Sequence, residues 1–310
     1  PEQLIMRVVD SQVMPKDLEV LIGTKAQHDS GMTIHAGTSR LTIRSRSVTI
    51  DTEPVGKILA RQKSKPLNVL ALAGGMSPAI LILTDLGWRI NKYHSSDTCK
   101  AAQRVSNSVA HTAGVKIEHL PSLEALSSEQ TGTQYDLILA SPPCKGFSRA
   151  RGNPEGMDGT DGTLFKLCCG IIKTQQDMGH NPKIIFENVV LHAERKQDEQ
   201  TQNEYLGMEF KTLKASDCGG TQHRTRRIAT NICDLNTISR TEPADPNWML
   251  HPTSTTHLRI MPCIMASGSR TKAPVMVNDN ITGEPRLADI EELERLQGYP
   301  AGITSGWSLD

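Results

Sequence analysis

At 310 residues the chain can hold one large domain or two small ones, and its 34 basic and 34 acidic side chains cancel. No chain-wide charge announces a polyanion partner, so any nucleic-acid face has to be a local patch. Seven scattered cysteines with no Cys-x-x-Cys pair argue against both a zinc site and a secreted disulfide framework, and favour a reducing, intracellular setting, nuclear if the source is eukaryotic. No apolar run approaches membrane-spanning length, no signal peptide opens the chain, and a start at Pro1 with an end at Asp310 soon after a helical segment reads as part of something longer.

Residues 1–66 are irregular apart from the alternating stretch Leu41 to Ile50, which predicts one or two half-exposed strands. The basic pair Arg44 and Arg46 is more simply a strand's solvent face than a phosphate site. The segment is an N-terminal extension without assigned chemistry, through which any protein partners are expected. At Leu67 the texture changes. Leu67 to Ala73 is a buried-strand run, Gly74 and Gly75 make a turn, and a helical stretch ends near Leu86 and Gly87. Ile90 to Ser95 is a second strand ending at Asp97, about twenty residues past the glycines, where an acid can accept hydrogen bonds from a ribose. Glycine pairs at strand ends also serve plain turns, so this pattern alone leaves a nucleotide site and an ordinary turn both open.

The segment from Asp136 to Cys144 is an apolar strand that stops at Pro142 and Pro143, residues without N–H donors that cannot extend a sheet ladder. Cys144 therefore sits on a stiff turn at the C-terminal end of a strand, the edge where open α/β sheets bind ligands; an inert buried thiol is the other reading. Lys145 to Gly162 is glycine-rich and long for a connector, as functional lids are. A helix follows, with Leu164, Leu167, Cys168, Ile171 and Ile172 on one face and Gly179 as its C-cap, which makes Cys168 and Cys169 core fillers. Lys183 to Val190 is an apolar strand carrying Glu187, expensive to bury unless paired or used. Gln222 to Arg227 leads into Ile228 and sets alternate basic side chains on one face of a strand, either a solvated edge or part of a site.

Taken in order, these pieces resemble the cytosine-C5 DNA methyltransferase family over roughly Leu67 to Thr304. Ser141-Pro142-Pro143-Cys144 is similar to its nucleophile motif, Glu187-Asn188-Val189 to its Glu-Asn-Val motif, and Gln222-x-Arg224-x-Arg226 to its Gln-x-Arg-x-Arg motif. Arg286 to Pro300 is similar to the segment that follows the target-recognition region. Gly162-Thr-Leu-Phe165 and the short recognition region look most like the animal de novo branch. The resemblance implies an α/β fold of the S-adenosylmethionine-dependent, Rossmann-like type, a mostly parallel sheet flanked by helices. Its catalytic core would run over 67–233, a small target-recognition region over 234–283, and a return segment of the core over 284–310.

The implied chemistry is methyl transfer from S-adenosylmethionine to C5 of a cytosine flipped out of DNA. The family adds a thiolate to C6, methylates the resulting enamine, then eliminates the C5 proton and the thiol. By resemblance Cys144 is the nucleophile, Glu187 contacts N3, and Arg226 with Arg224 holds O2. Asn188 supports the proline loop. Ala73, Gly74, Gly75, Asp97, Glu118, His119 and Pro142 line the cofactor site. Lys145, Ser148, Arg149 and Arg151 meet DNA, the last two through phosphates from a lid.

Three departures stand against the family pattern. Ala73 occupies the position of the aromatic that stacks on the cofactor's adenine, His119 that of an aspartate contacting the adenine amino group with Glu118 adjacent as its substitute, and the final Gly-Asn-containing motif does not follow Pro300. Two alternatives remain beside DNA methylation. One is the same chemistry on transfer RNA, whose enzymes carry a Cys-Phe-Thr tripeptide that does not occur here. The other is a catalytically silent DNA-binding relative, against which the joint retention of Cys144, Glu187 and Arg226 argues.

Overall fold

The computed structural model describes residues 65–126, 132–148, 155–264 and 275–304, together with the backbone of three strands between 32 and 49. The chain divides into two compact units, one holding residues 1–66 with 86–89, the other holding the rest. In the first unit β1 (Met32–His35), β2 (Arg40–Ile43) and β3 (Arg46–Thr49) form an antiparallel sheet, with Leu41 opposite Val48. The alternating stretch thus makes two strands, and a third precedes it; Arg44 lies outside the described residues.

The second unit alternates strands and helices over most of its length. Its elements are β4 (Leu67–Leu72), α1 (Ala79–Asp85), β5 (Ile90–Ser96), α2 (Lys100–Thr112), β6 (Ile117–Leu120), β7 (Leu137–Ala140), α3 (Thr160–Asp177) and β8 (Lys183–Val189). Then come α4 (Asp198–Leu206), β9 (Lys211–Lys214) and β10 (Thr225–Thr230). They build a seven-stranded sheet of order β6-β5-β4-β7-β8-β10-β9, parallel except for β10, which runs antiparallel to both neighbours. The chain winds outward from β4 to β6 and returns to lay β7 on the other side of β4. This reversal opens a crevice between the C-terminal ends of β4 and β7, the place where such sheets take ligands.

Both faces of the sheet are covered, which is why its central strands read as unbroken apolar runs. On one face Val69, Ala71 and Tyr93 pack with Ile80 of α1 and Val105 and Val109 of α2. On the other, Leu70, Leu72, Ile138, Ile184 and Phe186 pack with Phe165, Cys168, Cys169 and Ile172 of α3. The paired cysteines are core fillers as expected, buried at 0% and 4% exposure, and burial pushes the Cys169 thiol up to about 12. The C-terminus of α3 closes as its glycine predicts: Gly179 takes φ of 78°, its N–H donates to the Gln176 carbonyl and the next N–H, of His180, to the Gln175 carbonyl.

Helix α3 begins earlier than expected, at Thr160, inside the glycine-rich stretch read as a long connector. The reason is packing. A Cβ at Gly162 would overlap the Met157 backbone, 2.3 Å from its carbonyl oxygen, so glycine lets the preceding short turn lie against the first helical turn.

Beyond the large sheet, β11 (Ser254–Thr255), β12 (Met276–Asp279) and β13 (Pro285–Leu287) make a small antiparallel sheet, followed by α5 (Ile290–Leu296). This sheet continues past residue 283, the expected boundary of the recognition region, because Val277 pairs with Arg286 across a hairpin that turns at Gly283, φ 76°. Leu250, Met261, Val275, Val277 and Leu296 form its own core. Helix α5 carries two buried carboxylates, Glu292 turned to the small sheet and Glu294 to the segment that follows the helix. Glu292 receives Arg286 Nη1 and Nη2 at 2.8 and 3.0 Å, the His251 N–H at 3.0 Å and the Asp289 N–H at 2.9 Å. Burial alone would raise this carboxyl, but these donors outweigh it and hold Glu292 at about 2. Glu294 accepts the N–H groups of Gly302 and Thr304, which places Ile303 in the core on the α1 and α2 face. Among the described residues no helix is long and apolar enough to cross a membrane.

Candidate active site at the carboxyl edge of the sheet

Strand β7 ends at Ala140 because Pro142 and Pro143 follow, and the chain then folds into a tight turn in which the Phe147 N–H donates to the Cys144 carbonyl at 3.1 Å. Three attachments fix that turn. Phe147, fully buried, packs edge-on against Phe165 in an aromatic cluster that also holds Phe186 and Phe210. The Gly146 N–H donates to Asp161 Oδ2 at 2.6 Å, and the Gly156 N–H donates to the Gly146 carbonyl at 2.8 Å. Cys144 stands half-buried on this scaffold.

The charged partners arrive from the antiparallel pair β8 and β10. Ile228 lies opposite Glu187 and Arg226 opposite Val189, so Glu187 and Arg226 are diagonal neighbours on one face. Their side chains meet at 2.8 Å, Nε to Oε1, both about a quarter exposed. Arg227, one residue on, points to the other face; it is buried, donates to Gln202 Oε1 at 2.7 Å and lies 4.5 Å above the Phe210 ring. Arg224 precedes β10 and reaches Cys263 Sγ at 3.9 Å. Gln222 takes a structural position: its amide donates to the Leu296 carbonyl at 2.8 Å and accepts the Ile264 N–H at 3.2 Å, tying this segment to α5.

These groups converge electrostatically on the thiol. Burial raises the Cys144 pKa above the ordinary thiol value, Glu187 and Asp161 raise it further, and Arg226 and Arg224 oppose them. Sequence reasoning named every one of these partners except Asp161. The signal for it was present, an acid in the first turn of the helix after the glycine-rich stretch, but nothing in the sequence shows which backbone N–H it will meet.

The other wall of the crevice is the turn after β4. Ala73 adopts φ of 52° and Gly75 φ of 55°. Gly74 lies so close to β5 that a Cβ would stand 2.5 Å from Ser95 Oγ. Asp97 organises the turn, accepting the Gly75 N–H on Oδ2 and the Cys99 N–H on Oδ1, each at 2.8 Å. Ser141 Oγ donates to the Ala73 carbonyl at 3.1 Å and links this wall to the nucleophile turn, with Pro142 buried between. His119 Nε2 lies 2.9 Å from Asn107 Oδ1 of α2, and burial lowers its pKa, with Lys100 acting in the same sense and Asp97 against.

Glu118 does not join this wall. Adjacent strand residues face opposite sides of a sheet, and the Glu118 carboxylate pairs with His94 Nε2 at 3.4 Å on the far face from His119. The expected backing of the proline loop by Asn188 is also not made by a hydrogen bond: its Oδ1 accepts the Val189 N–H at 2.8 Å, while its buried Nδ2 meets no acceptor among the described residues. Lys145 is exposed beside the thiol, and Ser148 forms an isolated bridge with Leu191. Arg149 and Arg151, expected at phosphates, lie outside the described residues.

Comparison with known proteins follows the same lines. Residues 118–256 match the family described as C-5 cytosine-specific DNA methylase. A methyltransferase of Entamoeba histolytica, EhMeth, superposes with a TM-score of 0.60 at 12% identity, over 79% of this chain and 91% of that one. The Dnmt2 methyltransferase of S. pombe superposes with a TM-score of 0.54 at 15% identity, over 79% and 90%. At these identities the likeness is one of fold, a Rossmann-like methyltransferase sheet.

Proposed function

We propose, from the match of residues 118–256 to the C-5 cytosine-specific DNA methylase family, that this chain methylates C5 of cytosine in DNA, using S-adenosylmethionine, a covalent Cys144 adduct and a flipped base. The observation that carries the reading is Cys144 on a fixed turn, facing the 2.8 Å pair of Glu187 and Arg226.

Cytosine C6 accepts a thiolate only if negative charge developing on the ring is neutralised. Glu187, at the carboxyl end of β8, would hold a proton at N3, and Arg226, fixed by its contact with Glu187, would place its guanidinium at O2. The thiol is protonated at rest because burial disfavours its anion, so the two arginines and the arriving base together determine when the thiolate forms. A base inside a duplex cannot reach this recessed turn, which is the argument for flipping.

The opposite wall fits the cofactor on its ribose side. Asp97 stands at the end of β5, Gly75 leaves open space where a Cβ would be, and the buried Ser95 Oγ and His119 Nδ1 have no partner among the described residues. S-adenosylmethionine supplies the methyl group when bound. Ala73, Gly74, Gly75, Asp97 and His119 would hold it, without the aromatic face of the family pattern.

The test is a duplex carrying 5-fluorocytosine, which arrests the reaction after methyl transfer because fluorine cannot leave C5 without its bonding electrons, as the proton does. With S-adenosylmethionine the wild-type protein should form a covalent adduct of the mass of protein plus methylated duplex, and the adduct should map to Cys144. Adduct formation with a fluorocytosine-containing transfer RNA and none with DNA would move the substrate to RNA, the second reading. Absence of any adduct in a protein that binds duplex tightly would leave the silent DNA-binding relative.

A further inference from the structure

We propose that Asp161 is a positioning residue for Cys144, holding the nucleophile turn by its backbone and placing a negative charge near the thiol. The proposal rests on the reading of Cys144 as nucleophile.

The geometry has two parts. Asp161 lies in the first turn of α3, where a carboxylate is favoured by the helix dipole, and its Oδ2 accepts the Gly146 N–H at 2.6 Å. Gly146 is a central residue of the turn closed by Phe147 N–H on the Cys144 carbonyl, so the carboxylate grips the turn two residues from the thiol. The approach is close. A Cβ on Gly146 would stand 3.3 Å from both Cβ and Oδ2 of Asp161, tighter than ordinary contact, so the glycine is what lets α3 reach this backbone. Gly146 is itself buried, and without Asp161 its N–H would have to find another acceptor in a buried place.

The second part is charge. Among the described residues, four ionised groups act on Cys144: Glu187 from β8, Arg226 from β10, Arg224 from the segment before it, and Asp161 from α3. Glu187 and Arg226 are paired with each other and act on the thiol in opposite senses, and Asp161 acts against Arg224. Among the described residues, the carboxylate on α3 is the one that both bonds the nucleophile turn and opposes its anion.

These parts separate by substitution. Asp161→Asn retains an acceptor for the Gly146 N–H and removes the charge; Asp161→Ala removes both. The readouts are the rate of Cys144 alkylation by iodoacetamide as a function of pH, followed by peptide mass spectrometry, and hydrogen exchange at the Gly146 amide. Neither requires methyl transfer, so each tests Asp161 even if the methylation reading fails. The expected result for Asp161→Asn is an alkylation midpoint displaced to lower pH, a rate about threefold or more above wild type at pH 7.5, and wild-type protection of the Gly146 amide. For Asp161→Ala the same displacement should come with loss of that protection. A methylation pH profile, where activity is present, should move with the alkylation midpoint. An unchanged midpoint in Asp161→Asn overturns the electrostatic role, and unchanged Gly146 protection in Asp161→Ala overturns the anchor. Absence of fluorocytosine adduct in wild type, with these results intact, overturns only the function proposed for Cys144.

Discussion

Around Cys144 the polar groups that matter are already engaged: Glu187 holds Arg226, Asp161 holds the Gly146 N–H, and Phe147 anchors the turn in the core. Across the crevice, on β4 to β6, the buried Ser95 Oγ and His119 Nδ1 meet no partner among the described residues, and Ala73 holds a left-handed backbone that costs energy for any residue with a Cβ. The nucleophile wall is organised by the protein's own contacts apart from the buried Asn188 Nδ2, whereas the other wall keeps Ser95 Oγ and His119 Nδ1 for a bound polar ligand to satisfy. Preorganised dipoles help chemistry because they do not have to reorient at the moment of reaction, while unsatisfied ones help binding because the ligand relieves their burial.

The sharpest way to break the comparison is at the thiol. Cys144→Ser should abolish methyl transfer and leave DNA affinity near wild type, since a serine hydroxyl is scarcely ionised at neutral pH and the substitution removes no charge. Filter binding beside a tritiated-methyl assay reads both. If the serine variant still methylates, the nucleophile wall has been assigned to the wrong residue.

Next in size is the buried hub that carries the small sheet. Glu292→Gln leaves Arg286 facing a neutral amide and should cost about 3 kcal/mol in urea unfolding at pH 7. Because the folded carboxyl lies at about 2 against an ordinary 4.5, its contribution is fully present above pH 4.5 and is lost as pH falls toward 2. The gap between wild type and variant should therefore narrow steadily between pH 5 and pH 3; a gap independent of pH in that window would mean that the charge is not what Glu292 supplies.

Smaller effects are expected on the cofactor wall. Ala73→Phe restores an aromatic face worth about 0.5–1.5 kcal/mol, so S-adenosylmethionine should bind up to about tenfold tighter by calorimetry. Weaker binding would show that the left-handed backbone at 73 aims the ring elsewhere. Ala73→Gly relieves that backbone and should raise stability by about 0.5–1 kcal/mol, visible as a small rise in Tm. If Gly at 73 destabilises instead, the turn is held by the Ala73 methyl, which packs against the core.

Much of this was legible because periodicity and punctuation carry it. Leu137 to Ala140 and Lys183 to Val189 are apolar runs bounded by proline or by charge, and Gly179 and Cys168 fell where pattern places them. Asp97 was legible as an acid at a strand end, though its two backbone hydrogen bonds were not. The failures are matters of direction. Glu118 and His119 are adjacent, so only one could face the crevice, and deciding which needs the register of β6 against β5. The start of α3 at Thr160 depended on Gly162 sitting against Met157, a contact invisible in a list of helix propensities. Asp161 was missed because its partner is a backbone N–H fifteen residues away, and backbone groups leave no trace in sequence.

The antiparallel setting of β10 constrains how this lineage can vary in length. Arg226 and Arg227 are chemically the same side chain one step apart, yet one meets Glu187 beside the thiol and the other is sealed over Phe210. A single-residue insertion or deletion that propagated into the strand would exchange them, sending a buried cation outward and the working one into the aromatic cluster. Genetic variation in the β9–β10 connection should therefore be confined to changes absorbed before Gln222, ahead of the residues that Met261, Cys263 and Ile264 hold in place. A library of one-residue insertions scored for folding and methylation would draw that boundary directly on the chain.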